Sequence, residues 1–85
     1  MGRREIFTDI DLERDRQNDA WGEQHYPWSE WLAVLGEEYG EVCQEVADLT
    51  FRRNDDPARL RTELIQLAAV AVQIVEHIDS EGATH

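Results

Sequence analysis

Glu37, Glu38 and Glu41 stand within one helical turn of each other, and Glu63 with Gln66 repeats the same three-residue spacing further along the chain. Side chains three apart share a helix face, so each pair can aim two oxygen-bearing groups at one point. Two such helices packed together make an oxygen cage suited to a hard cation such as Mg²⁺, with Mn²⁺ as a substitute. Gln66 breaks the pattern, because an amide oxygen is a weaker ligand than a carboxylate. The acidic stripe continues through Glu45 and Asp48, and either can supply the missing charge. Like charges at this spacing repel by a few tenths of a kcal/mol each, and no cation follows on this helix before Arg52. Glu63 falls within an apolar face, flanked in projection by Leu67, Val70 and Ile74. A charge there must be paired or bind a metal. The plainer alternatives are a solvated acidic face for the stripe and an ion pair with Arg59 or Arg61 for Glu63. Gln66, Gln73 and His77 continue a polar line down the same side, which reads as a cavity-facing stripe.

Other chemistries find less support. His25, His77 and His85 lack paired metal-ligand spacing and Cys43 is the single cysteine, so zinc is not expected. Cys43 reads as a small core residue. No phosphate-binding glycine loop, nucleophile elbow or Cys/His dyad is present. Arg52, Arg53, Arg59 and Arg61 surround a turn at 54–57. Each alone reads as surface charge; together they could hold phosphate oxygens, whose geometry guanidinium matches. Trp21, Trp28 and Trp31 read as core, with Trp21, beside Gly22, the one placed to stack on a base.

The elements that must position these groups are helices. Aliphatic residues recur at spacings of 3 and 4, and only two prolines interrupt. A first helix is predicted over 9–21, with Thr8 as N-cap and Gly22 as stop. A second runs over 30–53 behind Ser29, and a third over 57–78, with Asp56 as N-cap and Pro57 at its first position. The second helix carries an apolar face (Trp28, Trp31, Leu32, Leu35, Tyr39, Val42, Val46, Leu49) and a strip of small residues (Ala33, Gly36, Gly40, Ala47). The third is apolar nearly all round, and such a helix is buried all round. One chain of 85 residues cannot supply that cover. The expectation is a single all-α domain spanning 1–85, with 1–8 and 79–85 frayed, a helical bundle completed as a homodimer or homotetramer.

A formal net charge of −11 argues against nucleic acid or an anionic membrane as partner. The first residues lack the apolar stretch of a secretory signal, and no run approaches the ~20 apolar residues of a membrane span. A lone cysteine suits a reducing compartment, so a cytoplasmic location is expected, that of the host if the chain is phage-encoded.

The motif Glu38-Tyr-Gly-Glu41 followed by Glu63-Leu-Ile-Gln66 resembles the signature of the all-α MazG-like NTP pyrophosphohydrolases, Glu-x-x-Glu and then Glu-x-x-Asp on two helices. The stretches WLAVLGEEYGEVCQEV, LRTELIQLAAVAVQIVE and RQNDAWGEQHYP are similar to the short phage and bacterial members, so the likeness covers residues 16–76. The resemblance implies the all-α NTP pyrophosphatase fold and Mg²⁺-dependent hydrolysis of a (d)NTP to (d)NMP and pyrophosphate in nucleotide-pool house-cleaning. It implies Glu38, Glu41 and Glu63 as metal ligands, with Gln66 at the fourth position as a subfamily trait, or Glu45 or Asp48 in its place. Glu37 or Glu41 would orient the attacking water, Arg52, Arg53 or Arg59 from this or a neighbouring subunit would hold phosphates, and Gln17, Trp21 and His25 would meet the base or ribose. The alternatives are a non-catalytic nucleotide- or metal-binding module of the same fold, and a purely structural helical dimer.

Overall fold

A computed structural model of the chain describes residues 2–52 and 55–82. Three helices account for nearly all of it: α1 (Arg3–Trp21), α2 (Trp28–Phe51) and α3 (Ala58–Gly82), with no strand among the described residues. The all-α expectation holds, and the helix boundaries move for local reasons. α1 starts at Arg3 instead of residue 9. Glu5 in its first turn turns back to accept a hydrogen bond from the Gly2 N–H at 2.8 Å, and a carboxylate there also opposes the helix dipole. Thr8 is therefore no cap; inside the helix, its hydroxyl donates to the Arg4 carbonyl. The segment 3–8 is helical, not frayed.

Gly22 stops α1 as expected, at φ 73°, a region other residues rarely adopt, while its N–H reaches back to the Asn18 carbonyl at 2.8 Å. α2 begins at Trp28, two residues ahead of the Ser29-capped start. The Pro27 carbonyl accepts from the N–H groups of Glu30 and Trp31, so the proline opens the helix. α3 starts at Ala58 instead of the expected Pro57, whose carbonyl accepts from the Arg61 N–H at 2.9 Å. Asp56 is the expected cap, its Oδ1 accepting from the Ala58 N–H at 3.0 Å. α3 then runs to Gly82, past the predicted end at 78, so 79–82 are also helical. Arg53 and His85 lie outside the described residues.

α3 is the central element. It packs against both α1 and α2, while α1 and α2 do not pack against each other. Asp9 pairs with Arg61 and Arg14 with Glu76, so α1 and α3 run in the same direction. Trp31 meets His77 while Glu41 meets Glu63, so α2 runs opposite to α3. The buried apolar core comprises Trp31, Val42, Ala69 and Val70. Beside it, the buried Arg14 guanidinium donates to both carboxylate oxygens of Glu76 (2.9 and 3.2 Å), to Gln17 Oε1 and to Asn18 Oδ1. This bidentate clamp fixes α1 on α3.

The predicted apolar face of α2 divides in two. Trp31 and Val42 turn to α3, whereas Leu32, Tyr39 and Val46 face outward. Cys43 lies on that outer side too and is exposed, so it is not a core residue. Trp31 alone of the three tryptophans is core; Trp21 and Trp28 are 69% and 59% exposed. On α3, Leu64, Val72, Val75 and Ile78 are likewise exposed. The chain presents 6379 Å² of surface, against ~5200 Å² for a compact monomer of this mass. Among the described residues, no helix is long and apolar enough to cross a membrane.

Candidate metal and substrate site

The Glu-x-x-Glu spacing of α2 and the Glu63 position of α3 meet where these antiparallel helices cross. One ligand oxygen from each of Glu38, Glu41 and Glu63 lies within 4.8 Å of the other two. Oε2 of Glu38 and Oε2 of Glu63 are buried and have no hydrogen-bond partner. Arg61, a candidate counter-ion for Glu63, is turned to Asp9 of α1 instead.

The electrostatics follow from this arrangement. Burial pushes the Glu63 carboxyl up to about 7, helped by a hydrogen bond to Glu41 and by the negative charges of Glu41, Glu38 and Glu45. Burial also raises Glu38, followed by the charges of Glu41, Glu37 and Glu13, with Arg16 opposing. The raised Glu63 carboxyl holds its proton towards neutrality, which eases the repulsion among the crowded carboxyls. A divalent cation would do the same more completely, because it can meet the oxygens that hydrogen bonds leave bare. The residues present thus fit a hard cation: three carboxylates, two of them with an orphaned buried oxygen.

The triplet adjoins a cavity of about 450 Å³, within the ~300–1,000 Å³ of small-molecule sites. α1 supplies Glu13, Arg16, Gln17 and Trp21 to its wall, and the connecting loop supplies Gln24 and Tyr26. From α2 come Trp31, Val34, Glu37, Glu38 and Glu41, and from α3 Gln66 and Gln73. The cavity is the gap that α1 and α2 leave by not touching. Its polar groups are oriented by neighbours: Gln17 accepts from Arg14 at 3.0 Å and donates to Glu13, Gln24 donates to the Trp21 carbonyl, and Tyr26 meets Trp31 edge-on at 5.0 Å. The polar line of Gln66 and Gln73 does face a cavity.

Of the residues singled out from sequence, Glu37, Glu38, Glu41, Gln66, Gln17 and Trp21 line this space together. Glu45 is near enough to raise Glu63 but stands outside the triplet. Asp48 is held elsewhere, accepting from Gln44 at 3.3 Å and pairing with Arg52 at 3.3 Å. Neither Arg52 nor Arg59 lines the cavity, and His25 lies against a neighbouring one. The basic group on the wall is Arg16, which sequence reasoning passed over. Its pairing with Glu13 at i,i+3 (2.9 and 3.1 Å) holds it on the face of α1 turned to the cavity. The signal available was the polar run Arg14–Asn18, too polar for a face packed only on apolar groups.

No protein-family model, curated protein or solved structure matches the chain.

Proposed function

We propose that the protein is a metal-dependent nucleoside triphosphate pyrophosphohydrolase, splitting a (d)NTP into (d)NMP and pyrophosphate, of the MazG-like type that its motifs resemble. The observation that carries this reading is the convergence of Glu38, Glu41 and Glu63, with two partnerless buried oxygens, beside a nucleotide-sized cavity. Glu38, Glu41 and Glu63, with Gln66 as the fourth oxygen donor, would hold Mg²⁺ or Mn²⁺. The ion, when bound, offsets triphosphate charge and acidifies a water. Glu37 stands on the cavity wall outside the triplet, so it would orient a water and take its proton as that water attacks the α-phosphorus and the bond to the departing pyrophosphate breaks. Arg16 meets phosphate oxygens by a charge-assisted bond. Trp21 offers a face for the base, and the clamped amide of Gln17 offers a fixed hydrogen-bonding edge.

Oligomerisation belongs to the same proposal. Leu32, Tyr39 and Val46 of α2 and Leu64 and Val75 of α3 supply an apolar surface for a second copy. A homodimer or homotetramer would cover it and carry Arg52 or Arg59 towards a neighbour's phosphates. The pyrophosphatase would act in the cytoplasm on free nucleotides. One feature favours a second reading, a binding module without turnover: Gln66 leaves the cage one carboxylate short.

Purified protein with Mg²⁺ or Mn²⁺ should release pyrophosphate from at least one member of a panel of standard and modified nucleotides. Glu38→Gln should lower that rate by at least roughly 100-fold. Silence across the whole panel removes the enzyme reading, and binding without release leaves the module.

A further inference from the structure

A second group of ligand-bearing side chains lies outside the carboxylate triplet. His77 and Glu81 are four residues apart on α3 and so share a face. The loop after Gly22 brings His25 over that face, and one ligand atom from each of His25, His77 and Glu81 lies within 4.8 Å of the other two. The two imidazole centroids are 5.8 Å apart and their planes are inclined by 53°, so the rings are not stacked face to face. His77 is only 9% exposed, and its Nδ1 is buried with no hydrogen-bond partner. Trp28 and Trp31 contact the same ring at centroid distances of 5.4 and 5.7 Å. A buried imidazole nitrogen without a partner is costly to leave bare. Glu23, whose Oε1 is 3.6 Å from His25 Nε2, places a further carboxylate at the edge of the group.

We propose that His25, His77 and Glu81 form a binding site for a borderline transition-metal ion, Zn²⁺ by preference, distinct from the carboxylate site. Two imidazoles and one carboxylate are a donor set for Zn²⁺, Co²⁺ or Ni²⁺, and a poor one for Mg²⁺. Ligand atoms in a tetrahedral zinc site are ~3.3 Å apart, so the three side chains close by about 1.5 Å at most on binding. Glu23 or water completes the shell. The site ties the 22–27 loop to the C-terminal half of α3. That loop carries Gln24 and Tyr26 into the larger cavity, so the metal fixes one wall of it without taking part in the chemistry there. The spacing that hides this site from sequence is long: His25 precedes α2, and His77 follows the whole of it.

The test is titration of the untagged, metal-free full chain with Co²⁺, whose visible d–d absorption is intense in tetrahedral nitrogen–oxygen surroundings and weak in octahedral oxygen surroundings. Wild type should bind one equivalent with the intense spectrum, and Zn²⁺ should displace it. His25 is exposed, so His25→Ala should leave the fold intact by circular dichroism and weaken the spectral titration by more than roughly tenfold. Glu63→Gln should leave the intense band in place, changing only weak octahedral Co²⁺ uptake. The proposal is overturned if wild type shows no intense band, if His25→Ala titrates like wild type, or if Glu63→Gln abolishes the band. The last result would place the ion in the carboxylate triplet.

Discussion

Metal binding at the carboxylate triplet should expel a proton, and the size of the effect follows from Glu63. With its carboxyl pushed up to about 7, the Glu63 proton is ~90% present at pH ~6 and ~10% present at pH ~8. A divalent cation must displace that proton to reach the oxygens. Apparent Mg²⁺ or Mn²⁺ affinity should therefore rise ~10-fold from pH ~6 to pH ~8, whereas an ordinary glutamate would change it by only a few per cent. The raised carboxyl of Glu38 adds in the same direction. Isothermal titration in buffers of different ionisation enthalpy reads both quantities. Net release should approach one proton per ion at the lower pH and fall to ~0.1 at the higher. The same shift governs the stability of the metal-free protein. A carboxyl raised in the folded state holds its proton better than in the unfolded chain, so its stabilisation is complete below about pH 4.5 and is lost as pH rises through about 7. Thermal midpoints without metal should fall across that window, and saturating Mg²⁺ should flatten the fall. Equal affinities at the two pH values with no proton release would refute the reasoning, because the carboxyls would then already be ionised in the free protein.

Arg14→Ala removes the bidentate bond to Glu76 and should destabilise the fold by about 2 kcal/mol, a fall of roughly 8–16 °C in thermal midpoint by calorimetry. Gln66→Asp completes the carboxylate set, and should tighten Mn²⁺ binding by roughly tenfold in calorimetric titration while lowering the metal-free thermal midpoint. Leu32→Glu places a charge on the exposed apolar side of α2, and should shift the protein towards monomer in sedimentation velocity, with a lower midpoint but unaltered helical signal.

How much could be read from sequence depended on whether a feature was local. The meeting of Glu38, Glu41 and Glu63 needed only helical spacing and one crossing, so the triplet was legible. Asp56 before Pro57 and Gly22 at a positive φ are also local signals, and both act as expected. The start of α1 was missed because Glu5, not Thr8, satisfies the first orphan donor, a choice made by side-chain reach. The division of α2 into a core side and an outer side could not be read, since Trp28, Leu32 and Tyr39 are as apolar as Trp31 and Val42. Only the position of α3 tells them apart, and Cys43 and Trp28 fall on the outer side for that reason. The parts of the cavity that come from α1 (Arg16 with Glu13) depend on how α1 is turned on α3, which the Arg14–Glu76 clamp decides.

The absence of packing between α1 and α2 has a mechanical consequence. Both walls of the cleft hang from one spine, α3, and are joined to each other only by the short loop 22–27. α1 is held to α3 by Arg14–Glu76 and Asp9–Arg61, so the separation of the two walls is set through α3 alone. A ligand seated between Trp21 and Glu41 then becomes the brace that these two helices otherwise lack. Occupancy should stiffen α1 before any other element, so slowed amide exchange along α1 would record the cargo directly.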